Sequence, residues 1–494
     1  MFDKYKTRFR RLLSRKQHEH YESESLLNSD SIERLEVYAE GLHDAHNVVY
    51  WVFVLYGVAM LLPWNVFITA SEYFAKRFAG SSYDETFQNY FSTYFTAANL
   101  IVFTYLLWQQ SKATCRVDIL WPALINTLIF GILATSVVVS TEGTTYFSLT
   151  MILLVMTGAT TSYFQVGVFA EASRFPPQYI QAVMSGQGVA GVAVAVASIL
   201  SAFAGSATDT PDEAGVTRSA FLYFMSAFLI TVAALIGRVI VTRRPFYIRQ
   251  MNMDPALLSN SPLDEDEIEE QEQLLDDEQR FFSNNHSDNR SQQQQTELSI
   301  FAVVRKSSGL VFAVAYIFVI TLIVFPSITA LIKSVSRHLP ATTSAATTPI
   351  YINNNRFLDD DVFVAFHFVL FNVGDWVGRL LPILESMRTF KPKLLVWFSL
   401  LRTIFVPAFM LCNIVVSDRK LPVIIDNDVV YFLIVWIFAV SNGWLGSLTM
   451  MAAPQQESIR SPAEKSLVGS VMSFSLVAGL ALGGTMSFVI RSMV

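Results

Sequence analysis

Charged residues are scarce in this sequence, and cysteine is almost absent. Only 15% of the 494 residues are Asp, Glu, Lys or Arg, whereas 52% are hydrophobic, and the mean hydropathy is +0.40. Because soluble domains carry roughly 25% charged residues, this composition excludes an ordinary soluble domain. The two cysteines, Cys115 and Cys412, fall on different predicted helices and at different predicted depths, which argues against a disulfide.

Motifs of ATP hydrolysis and of common enzyme classes are also missing. The sequence has no G-x-x-x-x-G-K-[ST] loop, no H-E-x-x-H helix, no G-x-S-x-G elbow and no Cys/His cluster. It therefore offers no ATP-binding loop, no evident nucleophile and no metal site, and we predict a protein that is not an enzyme and has no cofactor. The net charge of −6 comes mostly from one acidic loop, so it indicates no nucleic-acid partner.

Long hydrophobic runs, by contrast, are abundant. A helix needs about 20 apolar residues to cross the hydrocarbon of a bilayer, and eleven runs of about that length occur. They lie near residues 48–71, 88–109, 117–140, 145–170, 178–204, 217–242, 307–333, 361–384, 393–416, 429–452 and 465–490. We predict an all-α polytopic protein with eleven transmembrane helices and membrane lipid around it, and we expect no signal peptide to be removed because the first run starts far from Met1.

A polar segment divides the spans into six and five. It is acidic and glutamine-rich and covers residues 244–298, so we predict a disordered cytosolic loop between an N-terminal bundle (48–243) and a C-terminal bundle (299–494). Two bundles that move against each other are typical of transporters, although a long loop without architectural meaning is the alternative. Residues 1–47, predicted to be largely disordered, contain eight Lys and Arg, which places the N-terminus in the cytosol and the C-terminus on the opposite side.

Charged residues inside the predicted spans are candidates for function, because an ionisable group at the bilayer centre costs at least about 2.5 kcal/mol. In the eighth span, Asp375 and Arg379 are four residues apart and share one helix face with Asn372. Such a pair can accept hydrogen bonds from a hydroxylated solute and donate to it, or it can simply lock two helices together. For Arg402 in the ninth span, we favour pairing with a neighbouring helix over contact with a solute.

Uncharged polar residues occur at similar depth. In the first span Pro63 predicts a bend next to Trp64 and Asn65, a pair that can stack on a planar base and hydrogen-bond to it, or can pack within the helix bundle. Gln165 in the fourth span carries both a donor and an acceptor. In the fifth span Gly186, Gly188 and Gly191 match G-x-G-x-x-G, but they lie inside an apolar helix, so we predict helix packing or gating and no dinucleotide site.

Two acidic dileucine sequences lie in the predicted cytosolic segments. Each has a glutamate four residues before a leucine pair: Glu22 with Leu26 and Leu27, and Glu270 with Leu274 and Leu275. They resemble sorting signals read by adaptor proteins and favour a vacuolar or lysosomal membrane. Chance matches are common in acidic segments, and the plasma membrane is the alternative.

Five motifs together resemble those of the equilibrative nucleoside transporter family, in the family's order. They are PWN in the first span, MSGQG in the fifth, FNVGDWVGR in the eighth, SNGWLGSL in the tenth and GLALG in the last. The resemblance covers essentially the whole membrane region. It implies eleven helices in a fold similar to the major facilitator type, a central cavity between two bundles, and facilitated diffusion of nucleosides by alternating access.

The resemblance also implies roles for individual residues. Asp375 would accept from the ribose hydroxyls, Arg379 and Gln165 would contact ribose or base, and Asn372 would support them. Other residues would line or close the cavity, and these are Asn65, Trp64, Leu61, Ile68 and Leu100. Ile68 stands where some members have methionine, which puts substrate preference in doubt. Transport of nucleobases and coupling to protons stay open, and a membrane receptor or scaffold that only binds a solute is the alternative from another class.

Overall fold

The computed structural model describes residues 43–84, 86–112, 117–139, 143–204, 213–252, 299–338, 356–416, 419 and 421–493. In these ranges the chain is nearly all helical, and ten helices are long and apolar enough to cross a membrane, while an eleventh apolar helix has 17 residues. From first to eleventh, the spans are Val48–Thr69, Phe87–Lys112, Leu120–Ser136, Gly143–Ala172, Pro177–Ala204, Glu213–Val241, Ile300–Val324, Asp360–Leu380, Pro392–Met410, Asp428–Ala452 and Pro462–Arg491. The predicted all-α polytopic fold is confirmed.

Prolines explain two differences between predicted and observed spans. The seventh span ends at Val324 and not near residue 333, because Pro326 lacks an N–H and disfavours helical geometry at the residue before it. The ninth span ends at Met410 and contains a 3-10 turn at Arg402–Ile404. Pro407 cannot donate to the carbonyl four residues earlier, and a tighter turn at that point is the usual response.

The packing of the spans repeats with an offset of six. The first span packs on the fifth and the fourth, as the seventh packs on the eleventh and the tenth, and the second packs on the fourth as the eighth packs on the tenth. Between the halves, the fifth contacts the eighth and tenth, and the eleventh contacts the second and fourth. This repeated packing indicates two similar helical bundles in contact with each other.

Apolar side chains cover the outside of the helix assembly. Trp51 is 63% exposed, Leu229 58% and Phe488 75%. Water-soluble proteins rarely present contiguous apolar surface of this kind, whereas a lipid-facing surface requires it. The chain is therefore an integral membrane protein.

Glycines allow backbone contact where paired spans cross. A Cβ built on Gly186 in the fifth span would overlap the carbonyl oxygen of Val54 in the first, and one built on Gly57 would overlap that of Val183. In the last span, Gly479 lies in the same way against the seventh. Small residues let membrane helices approach closely enough for extensive van der Waals contact.

A buried ionic cluster joins the fourth and sixth spans to a short helix, Pro245–Asn252, which occupies the start of the segment predicted to be a loop. Arg238 makes two hydrogen bonds to the Glu171 carboxylate, at 2.8 and 2.9 Å. The Tyr247 hydroxyl donates to the same carboxylate at 2.7 Å. Burial and the nearby Glu171 raise the pKa of Tyr247, so it remains a donor and anchors the short helix to the bundle.

The Glu171→Gln substitution is expected to destabilise the N-terminal spans. Removing one member of a buried ion pair leaves its partner uncompensated, at a cost of about 3 kcal/mol. We expect a lower thermal unfolding midpoint in detergent than that of the wild-type protein. Glu72→Gln, which changes an exposed carboxylate, is the control, and equal midpoints for the two variants would refute a stabilising role for the cluster.

Candidate functional site

The Asp375 carboxylate is buried in the eighth span and is held from two sides. Arg379, one turn further along the helix, donates from Nε to Asp375 Oδ2 at 2.7 Å. Asn442 in the tenth span donates from Nδ2 to Asp375 Oδ1 at 2.7 Å. Asp375 and Arg379 are each 7% exposed. Each carboxylate oxygen therefore faces an N–H donor and keeps further lone-pair capacity.

Arg402 lies behind this pair, at the 3-10 turn of the ninth span, and is 2% exposed. Its guanidinium donates to the Phe438 carbonyl at 3.0 Å and also to the Ser441 hydroxyl. A further N–H donates to Thr321 Oγ1 in the seventh span at 3.0 Å. Arg402 thus connects three spans of the C-terminal bundle through hydrogen bonds, the arrangement that the sequence favoured over direct contact with a solute.

Arg379, in the eighth span, also links the two bundles. Arg379 Nη1 donates to the Met184 carbonyl at 2.8 Å and to Gln187 Oε1 at 3.2 Å, both in the fifth span. In return, Gln181 Nε2 donates to the Arg379 carbonyl at 3.1 Å. An arginine fork that engages a carboxylate on its own helix and acceptors on the facing helix fixes both at once.

This polar network extends to the first span. The Tyr50 hydroxyl donates to Gln181 Oε1 at 3.0 Å, and Gln187 Nε2 lies 2.9 Å from the sulfur of Met60. Polar groups from the first, fifth, seventh, eighth, ninth and tenth spans therefore meet in one connected region, where the two bundles face each other.

The predicted first-span residues follow directly on Met60. Trp64 is half-buried and stacks on Phe95 of the second span, with ring centroids 4.7 Å apart. Asn65 has a buried Nδ2 without a hydrogen-bond partner. Leu61 and, on the second span, Leu100 are half-buried, and Ile68 is 50% exposed. The structure thus brings an aromatic face and an unsatisfied amide donor to the turn next to the polar network.

The predicted glycines and Asn372 lie along the contact between the fifth and eighth spans. A Cβ on Gly188 would lie 2.8 Å from the Trp376 ring and 3.2 Å from Arg379 Cδ, and one on Gly191 would lie 2.5 Å from Asn372 Oδ1. Gly186 faces the first span. These positions leave space for the eighth span to approach.

Gln165 is buried in the fourth span, with 6% exposure. Among the hydrogen bonds of the described residues, none joins Gln165 to the Asp375 network. The predicted dileucine residues, from Glu22 to Leu27 and from Glu270 to Leu275, lie outside the described residues.

Sequence reasoning from charge did not identify three members of the network. Asn442, Thr321 and Gln187 are uncharged, and their spacing to Asp375 along the chain carries no periodic signal. Two of them could have been found from the motifs that resemble those of the family, because Gln187 lies in MSGQG and Asn442 in SNGWLGSL.

The site offers hydrogen bonding and aromatic stacking and has no evident means for covalent chemistry. Within the described part of the chain, no group of three or more His, Cys, Asp or Glu side chains could hold a metal ion. A buried carboxylate with spare lone pairs next to an arginine suits a neutral solute rich in hydroxyl groups.

Comparison with known proteins identifies the family of the chain. Residues 151–492 match the family model described as nucleoside transporter. Equilibrative nucleoside transporter 1 of Rattus norvegicus is 30% identical over 480 residues, which cover 91% of this chain and 98% of that protein. Nucleoside transporter FUN26 of Saccharomyces cerevisiae is 25% identical over 466 residues, covering 90% and 84%.

Among solved structures, the proton:xylose symporter XylE of the major facilitator superfamily aligns with 92% of this chain and 94% of its own, at 12% identity and a TM-score of 0.48. The family assignment rests on the sequence matches. The chain belongs to the nucleoside transporter family, whose members are transport proteins and not enzymes.

Proposed function

We propose that this protein moves nucleosides across its membrane by facilitated diffusion, and that Asp375 is the centre of the binding site. One observation carries the proposal: the Asp375 carboxylate is buried and is oriented by Asn442 and by Arg379, the residue that also bonds to the fifth span of the other bundle. A buried charge of this kind is costly and is normally retained for function. Its spare lone pairs would accept from the ribose hydroxyls.

The residues around Asp375 supply the remaining contacts of the proposed site. Arg379 and Gln165 would donate to ribose or base, and Asn372 would support them. The face of the Trp64 ring opposite Phe95 and the unpartnered Nδ2 of Asn65 would suit a planar base with an acceptor on its edge. The contacts of Trp64 and Asn65 would involve the base and not the sugar. We therefore propose that nucleobases are also transported, as weaker substrates.

Alternating access would act on the bonds that join the fifth and eighth spans. Arg379 holds Met184 and Gln187, and Gln181 holds Arg379. These bonds would break when the bundles separate on that side. A nucleoside that competes for Arg379 would weaken them, which would couple binding to movement.

Proton coupling is the second candidate mechanism, and the two mechanisms differ in what a proton gradient does. Both Asp375 oxygens already accept hydrogen bonds, one from Arg379 and one from Asn442, so we expect the site to bind a hydroxylated solute and transport to proceed without coupling. We would measure radiolabelled uridine and adenosine uptake into proteoliposomes with and without an inward proton gradient. Uptake should stop at the external concentration in both cases, and accumulation driven by the gradient would establish the coupled mechanism.

We propose that the protein is localised to a vacuolar or lysosomal membrane. Adaptor proteins that bind the two dileucine sequences would sort it there. The excess of Lys and Arg in the N-terminal segment favours a cytosolic location for both sequences and for the N-terminus, and adaptors act in the cytosol. Replacing Leu26, Leu27, Leu274 and Leu275 by alanine should move a fluorescently tagged protein to the cell surface. An unchanged organellar pattern would require another signal.

A further inference from the structure

Asn442 lies between a buried cation and the proposed binding carboxylate. We propose that Asn442 is a positioning residue, which holds Asp375 in the orientation that receives the ribose hydroxyls, and that Arg402 fixes Asn442 in turn. The inference rests on the proposed function of Asp375 and adds two residues that would act on the solute without touching it.

The two ends of the Asn442 amide face groups of opposite charge. Its Oδ1 accepts from Thr321 Oγ1 at 2.7 Å and lies 3.4 Å from an N–H of Arg402. Its Nδ2 donates to Asp375 Oδ1 at 2.7 Å. A rotated amide would turn N–H groups towards the guanidinium and its oxygen towards the carboxylate, and both contacts would be repulsive. The charges on the two sides therefore allow one orientation of the amide.

Burial makes this orientation effective. Asn442 and Thr321 are each 3% exposed and Arg402 is 2% exposed, so water does not compete strongly for these hydrogen bonds. Among the salt bridges of the described residues none involves Arg402; its Nη1 donates to the Phe438 carbonyl and to the Ser441 hydroxyl, and its Nε has no hydrogen-bond partner. In a low-dielectric interior, polar groups polarise one another along such a chain.

A purely structural role for Asn442 makes a different prediction. If Asn442 only joined the eighth and tenth spans, its loss would impair transport of every substrate alike. If it positions Asp375, its loss should impair the transport of substrates that bear the ribose 2′- and 3′-hydroxyls and should spare the transport of substrates that lack these two hydroxyls. A comparison of uridine with 2′,3′-dideoxyuridine separates the two roles.

The test measures KM for both solutes in proteoliposomes that contain equal amounts of wild-type, Asn442→Ala or Ser447→Ala protein, and initial uridine uptake in proteoliposomes that contain Asp375→Asn. Ser447 is a matched control, because it is a buried residue of the same span whose hydroxyl has no hydrogen-bond partner. A hydrogen bond to a charged group corresponds to roughly tenfold or more in affinity. We therefore expect Asn442→Ala to raise the KM for uridine about tenfold and that for the dideoxy analogue less than about twofold.

Two results would be negative, and they have different meanings. If Asp375→Asn loses uridine uptake and Asn442→Ala keeps the wild-type ratio of the two KM values, the positioning role is wrong while the proposed function stands. If Asp375→Asn keeps wild-type uridine uptake, the proposed function of Asp375 fails first. Ser447→Ala should behave as wild type.

A second variant keeps the inference testable if Asn442→Ala does not fold. Asn442→Asp preserves the side-chain shape but places a carboxyl oxygen against Asp375 Oδ1, so the two groups must share a proton. The charged groups facing this pair are Arg379 from the eighth span and Arg402 from the ninth, while the fifth span contributes the uncharged Gln187. The ratio of variant to wild-type uridine uptake should rise as pH falls from about 8 to about 5.5, and a ratio that does not change with pH would overturn the proposal.

Discussion

Asp375→Asn is expected to abolish nucleoside uptake. The substitution keeps the size of the side chain but removes the only carboxylate that Arg379 and Asn442 hold through the bonds described above. It also turns an amide N–H towards one of two N–H donors, and it leaves two buried arginines uncompensated. A hydrogen bond to a charged group contributes about 1.5–3 kcal/mol, so losing the two that the ribose hydroxyls would donate corresponds to a loss of roughly a hundredfold or more in uptake.

The measurement is initial-rate uridine uptake into cells or proteoliposomes, normalised to the amount of folded protein in the membrane. Asp361→Asn is the matched control, because Asp361 is an exposed carboxylate on the first turn of the same span. The control should keep near-normal uptake. Asp375→Asn protein that is folded, present at normal abundance and still active would show that the carboxylate is not needed.

Gly186→Ala is expected to have the second-largest effect, by preventing the first and fifth spans from packing. The added methyl group would overlap the Val54 carbonyl oxygen, which belongs to the backbone of a helix and cannot rotate away. The two helices would have to separate, and the neighbouring contact of Gly57 with Val183 would be lost with them. Overpacking of a tight contact costs about 1–3 kcal/mol when side chains can shift, and backbone against backbone should cost more.

We would measure the thermal unfolding midpoint in detergent together with the yield of monodisperse protein. Gly484→Ala provides the control, because a Cβ at Gly484 in the eleventh span would meet no atom within 4 Å, and alanine is the better helix former. The control should unfold at or slightly above the wild-type temperature. If both alanine variants unfold at the wild-type midpoint, close packing at Gly186 does not contribute to stability.

Much of the fold could be predicted from the sequence, because lipid requires long apolar helices and hydropathy reports them directly. The eleven predicted runs correspond, within the described residues, to ten helices that are long and apolar enough to cross a membrane and to the shorter apolar helix Leu120–Ser136. The ends of the helices could be predicted less well than the helices themselves. Hydropathy is averaged over many residues, whereas a proline such as Pro326 ends a helix at one position. The helix Pro245–Asn252 was missed because it is short, and its anchor to Glu171 is a contact between residues 76 positions apart.

The candidate site could be predicted only where a charge made its presence conspicuous. Asp375, Arg379 and Arg402 are costly in an apolar helix and draw attention for that reason. Asn442 bonds to Asp375 across 67 positions of sequence, and nothing local to either residue encodes that contact. Thr321 is similar, since a threonine in a membrane helix commonly donates to its own backbone, and the single hydroxyl hydrogen of Thr321 is shared between the Ile317 carbonyl and Asn442 Oδ1.

Counterflow is the most direct test of the central claim that this protein carries nucleosides through a site centred on Asp375. Proteoliposomes loaded with unlabelled uridine would be diluted into a trace of radiolabelled uridine. A carrier should produce a transient accumulation of label above the external concentration, because outward-moving unlabelled uridine returns the site to the outer face, and Asp375→Asn proteoliposomes should show none. Wild-type proteoliposomes without this accumulation, or Asp375→Asn proteoliposomes with it, would contradict the account.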